Sequence, residues 1–216
     1  MKNPWLDIPL DDYESHMALP HVGQSQLLSQ LLGEAIERYK PSSIALFGCA
    51  GGNGLERICS TSVERVVGID INQQYLKHTA ARYKDHIHRL ELFAGDLGVD
   101  QFVFDPVELI FAGLIFEYVE TTKLLKQALS MLIRGGRLVS VVQLPSPIED
   151  VTPSPYTTLE SLSSVLHVVS PSNLTVLARK TGFEIESERV VTATGGKSFH
   201  VNTFRTRPNE EIGNKK

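Results

Sequence analysis

The chain has 216 residues and a mass of 23.9 kDa, room for one domain of ordinary to large size. Hydrophobic residues make up 42%, charged residues 21%, and mean hydropathy is -0.07, which excludes long disorder, coiled coil and collagen-like structure. A net charge of -4, with no clustered Lys and Arg, argues against a nucleic-acid-binding surface. Apolar runs such as 107–116 are too short and too interrupted to span a bilayer. The opening residues show no charged-then-apolar leader. Cys49 and Cys59 are too far apart for a metal half-site, so a reducing cytoplasmic compartment and no membrane partner are expected.

Residues 24–39 place Leu27, Leu28, Leu31, Leu32, Ala35 and Ile36 at helical spacing, and Pro41 ends that helix. Residues 43–48 read as a buried strand running into glycines. A helix is expected over 53–60, with Asn53 as cap and Glu56 completing a capping box. Strand 65–70, helix 72–84, strand 88–93, strand 107–112 and helix 121–132 follow. Gly135 and Gly136 make a turn into strand 137–144. Residues 145–166 are rich in proline and serine, either a substrate loop or a solvated connection. After a helix at 171–181, strands 183–191 and 198–204 are separated by only six residues. That gap is too short for a parallel crossover, so the last pair is an antiparallel hairpin. Alternating strands and helices predict a parallel sheet covered on both faces. The domain is expected over 1–207, with 1–40 as N-terminal lid segment and helix and 208–216 as a flexible tail.

The turn GCAGGNG at 48–54 carries four glycines in seven residues. Such a turn lets backbone approach a ligand and places amide donors at a helix start. It is not a phosphate-binding P-loop, because Leu55-Glu56 stand where Lys-Ser/Thr is required. Nor does either register fit the dinucleotide fingerprint, since Ala50, Asn53 and Arg57 fall on glycine positions. Asp70 ends the second strand and Asp96 follows the third. Neighbouring strand ends lie about 5 Å apart, so both acids share a crevice with the turn. An adenosine fits there, with its hydroxyls on Asp70, its ring between Ile71 and Leu97, and its amine near Asp96. The competing reading makes Asp70 a helix cap and Asp96 a turn acid.

On these residues the sequence resembles the class I S-adenosylmethionine-dependent methyltransferases over roughly 24–206. IALFGCAGGNG at 44–54, VVGIDI at 66–71 and AGDL at 94–97 look like the family's first three motifs. ELIFAGLIFEYV at 108–119 and LIRGGRLV at 132–139 look like its fourth and fifth strand regions. Leu46 stands where the family often has an acid, and Ala50 where it has a second glycine. The resemblance implies an α/β fold, a seven-stranded Rossmann-like sheet of order 3-2-1-4-5-7-6 with an antiparallel last strand. It implies S-adenosyl-L-methionine as cofactor. The implied contacts are Gly48, Cys49, Ala50, Gly51, Gly52, Gly54, Asp70, Ile71, Asp96, Leu97 and Ala112.

Methyl transfer is an in-line displacement, and a general base is needed only for a protonated acceptor. The acceptor is expected to be a small molecule, and the protein a monomer or homodimer. The Asn-Pro-Pro-aromatic element of nucleic-acid amino-methylating enzymes is absent after the fourth strand. Tyr13, His16 and Glu117 are the candidate catalytic residues, with Met17, His21 and Tyr118 as further acceptor contacts. His16 has a suitable intrinsic pKa, while Glu117 could equally open a helix. No metal is expected: His86 and His88 lack a third ligand, and Glu117 and Glu120 lack a nearby Asp-Asn pair. Cys49 reads as a small buried residue. The rivals are a non-catalytic cofactor-binding module, an NAD(P)-dependent oxidoreductase or epimerase, and an aminopropyl transferase.

Overall fold

The computed structural model describes residues 3–59 and 61–207. The expected tail at 208–216 lies outside the described residues. The sheet has seven strands in the order β3-β2-β1-β4-β5-β7-β6. They are β1 Ser43–Phe47, β2 Arg65–Asp70, β3 Arg89–Ala94, β4 Val107–Gly113, β5 Leu132–Gln143, β6 Phe183–Thr192 and β7 Ser198–Thr206. β1 through β5 pair in parallel, and β7 runs antiparallel to both β5 and β6. The expected sheet order and hairpin are therefore present.

Among the described residues, five α-helices, α1 Leu10–Ala18, α2 Gln24–Tyr39, α3 Gln73–Tyr83, α4 Thr121–Met131 and α5 Pro171–Thr181, surround the sheet. Side chains alternate across β1 with the strand's two-residue period. Ala45 and Phe47 join α4 and α5 in one apolar layer, and Ile44 and Leu46 join α2 in the other. Leu46 is thus a core residue, and an acid there would be buried between α2 and the sheet. The helix ends follow local chemistry. Asn72 caps α3 at Gln74 N–H, Glu120 caps α4 at Thr122 and Lys123, and Ser170 caps α5 ahead of Pro171. Gly182, at φ 117°, closes α5 in the left-handed conformation.

Two expected elements differ. Among the described residues of the helix expected at 53–60, there is instead a single 3₁₀ turn, Leu55–Arg57. Gly54 opens it at φ 90°, outside the helical region. Asn53 does not cap: its amide donates to Ser25 O. Glu56 accepts from Ser29 Oγ and Gly54 N–H rather than closing a capping box. Leu55 and Ile58 plug directly into the layer under α2, so α2 supplies the cover that a crossover helix would have given. The second difference is at Gly135 and Gly136. They lie inside β5, whose pairing with β4 shifts register between Val107 and Leu109.

Candidate active site

One crevice opens at the carboxyl ends of β1, β2, β3 and β4, where open parallel sheets bind ligands. It holds about 1070 Å³ of empty space, mouth included. At the sheet end it is lined by Gly48, Ala50, Asp70, Ile71, Asp96 and Leu97. Toward the N-terminal segment and the 145–166 loop it is lined by Trp5, Tyr13, His16, Glu117, Tyr118 and Leu159.

The glycine turn is shaped by Asp70. One carboxylate oxygen of Asp70 accepts from Ala50 N–H at 2.8 Å, and the other from Asn72 N–H at 2.8 Å. It pins the turn and the entry to α3 while lining the crevice; the cap of α3 is Asn72, so Asp70 holds the cap residue's N–H rather than capping the helix itself. A carboxylate has about four lone-pair sites, so two remain for a ligand. Burial pushes its pKa up to about 6, against the lowering effect of the two N–H donors. Gly48 sits at φ 69° and Ala50 at φ 46°. Ala50 thus takes the left-handed conformation that glycine adopts freely, at a cost of about 1–2 kcal/mol. Its methyl packs with Leu10 and Tyr75, and its carbonyl accepts from Thr79 Oγ1 at 2.8 Å.

The other turn residues face away from the crevice. Cys49 packs its sulfur near Gly68, and burial holds its thiol pKa well above the usual value. Gly51 lies under Glu14 and Arg82, Gly52 against Tyr83, and Gly54 against Leu32. Ala112 is fully buried in β4. None of these five residues lines the crevice, and the expected amide-rich helix start after the turn has no counterpart among the described residues. At the far acid, Asp96 Oδ1 accepts from Gly98 N–H at 2.7 Å, so it closes its own turn while lining the crevice.

The N-terminal segment is packed cover rather than a solvated leader. Trp5, Ile8, Leu10 and Tyr13 fill against Tyr75, Tyr118, Leu159 and Leu162. Tyr75 donates to Ile8 O at 2.9 Å and Asn72 to Trp5 O at 2.9 Å. Arg82 and Glu14 form an ion pair at 2.5 Å across the glycine turn. The 145–166 loop is likewise structured. It contains a 3₁₀ stretch, Thr157–Ser164, whose Leu159 and Leu162 are buried.

His16 and Glu117 both line the crevice. His16 is buried with Nδ1 2.9 Å from Ser154 Oγ, and burial lowers its pKa, assisted by Lys197 and His21. His21 reaches outward to Pro153 O at 3.3 Å. Glu117 precedes α4 by several residues, so the helix-start reading does not hold. Only 2% exposed, it accepts Gln143 N–H on Oε1 at 2.7 Å, while Oε2 is buried with no partner. Burial drives its pKa to about 7, against the lowering effect of its N–H donors. Tyr13 and Tyr118 are held above their ordinary pKa, chiefly by burial.

Trp5, Gln143, Asp150 and Lys197 belong to this neighbourhood without having stood out in sequence. Lys197 Nζ donates to Asp150 O at 2.7 Å and Gln143 Oε1 at 3.3 Å, with its pKa lowered to about 8 chiefly by burial. In the sequence it sits in a Gly-Gly-Lys hairpin turn, the usual setting of a solvated lysine. Only the sheet order brings that turn beside the end of β5.

Residues 44–136 match a family described as methyltransferase domain. The chain has the class I methyltransferase fold. Solved structures superpose over most of its length. One is N-methyltransferase NodS from Bradyrhizobium japonicum in complex with S-adenosyl-L-homocysteine (18% identity, 85% of this chain and 87% of that chain, TM-score 0.64). Magnesium protoporphyrin IX methyltransferase ChlM from Synechocystis with bound S-adenosyl-L-homocysteine is another (12%, 86% and 84%, 0.64). The [4+2]-cyclase SpnF is a third (15%, 84% and 82%, 0.65). No curated protein matches the sequence. Among the described residues of this methyltransferase fold, no helix is long and apolar enough to cross a membrane.

Proposed function

We propose that the protein is an S-adenosylmethionine-dependent methyltransferase of a small-molecule acceptor, working by in-line methyl transfer. The observation that carries this reading is the single crevice that joins Asp70 and the glycine turn at one end to the buried Glu117 carboxylate at the other. The residues present fit the cofactor. Gly48 offers backbone without a side chain, at a point where a Cβ would lie 3.2 Å from Ile115. Asp70 would accept the ribose hydroxyls on its remaining lone pairs, Ile71 and Leu97 would flank the adenine, and Asp96 would accept from its amine. When bound, the cofactor supplies a sulfonium methyl as electrophile.

The chain's own work is positioning, exclusion of water and disposal of a proton. α1 and the Thr157–Ser164 stretch contact each other and contribute residues to the crevice lining, which supports a lid over the reacting groups. Glu117 is the better placed base: Oε2 is free, whereas His16 already holds Ser154 through Nδ1. A pKa near neutrality suits a group that must take a proton and later release it. The site contains no motif for a nucleic-acid base, which supports a small acceptor. The experiment is a thermal melt with S-adenosylhomocysteine. A ligand selective for the native state raises the melting temperature with concentration. No shift at millimolar ligand contradicts the reading.

A further inference from the structure

The acceptor half of the crevice has a definite chemical character. The described lining of the whole crevice includes four carboxylates, Asp70 and Asp96 at the cofactor end and Glu117 and Asp150 at the acceptor end, and no lysine or arginine. Lys197, the nearby cation, stands behind the lining and is committed to Asp150 and Gln143. A carboxylate or phosphate on the acceptor would meet like charge with no counter-ion, a costly arrangement away from water. Three aromatic rings line the same half. Trp5 meets Tyr118 edge-on at 5.1 Å and 85°, and Tyr13 edge-on at 5.5 Å and 77°. Rings at right angles offer faces to a cation within about 6 Å of their centroids. Beside Tyr118 is Glu117, whose Oε2 is buried and unpartnered. An unsatisfied carboxylate oxygen in a cavity calls for a donor from the occupant.

We propose that the acceptor is a small apolar or aromatic amine, bound as its ammonium against Trp5, Tyr13 and Tyr118 with one N–H on Glu117 Oε2, and that methylation takes place on that nitrogen. This rests on the methyltransferase reading above. The ammonium passes one proton to Glu117 Oε2, which frees the nitrogen lone pair. The nitrogen–methyl bond forms as the carbon–sulfur bond breaks, and that bonding pair goes to sulfur. The positive charge lost at sulfur appears on the methylated nitrogen. Glu117 then returns its proton to solvent.

The test measures binding by calorimetry to protein saturated with S-adenosylhomocysteine. Three probes of similar size differ in the group offered to Glu117: 2-phenylethylamine, 4-ethylphenol and 3-phenylpropionate. The amine is expected to bind at least ten-fold more tightly than either other probe. Glu117→Gln should reduce its affinity at least ten-fold and change that of S-adenosylhomocysteine less than two-fold. Trp5→Leu, the second variant, should weaken the amine at least three-fold more than 4-ethylphenol. Equal or tighter binding of 4-ethylphenol or 3-phenylpropionate overturns the assignment, as does no binding of the amine. Saturation by S-adenosylhomocysteine with no amine preference sinks this inference alone. Failure to bind S-adenosylhomocysteine removes the methyltransferase reading, and this one with it.

Discussion

Replacing Glu117 by Gln isolates the free energy stored in one buried carboxylate. In the native protein its pKa rises from the ordinary 4.5 to about 7. For a group whose pKa is higher folded than unfolded, the folded state holds the proton more tightly. That stabilisation is fully present below pH 4.5 and is lost as pH rises through about 7. Across pH 5 to 8 the wild type should therefore lose about 2–3 kcal/mol that the Gln variant keeps, at about 1.4 kcal/mol per pH unit. Asp70 titrates in the same window, with a pKa near 6, but it is present in both proteins and cancels in the comparison. The cost of burying a Gln amide cancels too, because it does not change with pH. Urea unfolding of both proteins at pH 5 and pH 8 measures the quantity. Parallel loss of stability in the two would show that Glu117 titrates as an exposed acid, and the buried-base argument would fail.

Asp70→Ala should weaken S-adenosylhomocysteine by about 1.5–3 kcal/mol and also lower stability by about 1–3 kcal/mol. It removes the acceptor of Ala50 N–H and Asn72 N–H. Calorimetry and urea unfolding check the two effects, and unchanged stability would contradict the anchoring role. Gly52→Val should destabilise the fold by at least about 2 kcal/mol. The residue is at φ 89° and a Cβ there would meet Tyr83 at 2.6 Å; a wild-type urea midpoint would refute this. Deleting residues 3–20 should cost about 3 kcal/mol or more, since Ile8, Leu10 and Met17 are buried and each contributes about 1.5–3 kcal/mol. A melting temperature unchanged by the deletion would mean the segment is a detachable lid.

Strand and helix spacing carried the fold well, because period-two and period-3.6 patterns reflect burial on the sheet faces and helix stripes. α2, β2 and α5 lie where their residues predict. The region after the glycine turn was not legible in this way. Asn53 and Glu56 have cap spacing, but Gly54 at positive φ and the partners Ser25 and Ser29, remote in sequence, redirect them. At the site, Asp70 was visible from its strand-end position. Its hold on the glycine turn was not, because the Ala50 amide lies 20 residues away. Glu117 was visible only as one candidate among several. Its burial depends on Gln143 N–H at the end of β5, and Lys197 enters only through the antiparallel return of β7. Contacts between distant strand ends leave no local pattern to read.

The crevice is proposed to hold S-adenosylmethionine and to direct its methyl group to a small acceptor. Calorimetric titration of the full chain with S-adenosylhomocysteine, and separately with NAD, tests it most directly. One-to-one binding of S-adenosylhomocysteine is expected, lost or strongly weakened in Asp70→Ala, with no heat from NAD. Saturable binding of NAD with none of S-adenosylhomocysteine would contradict it.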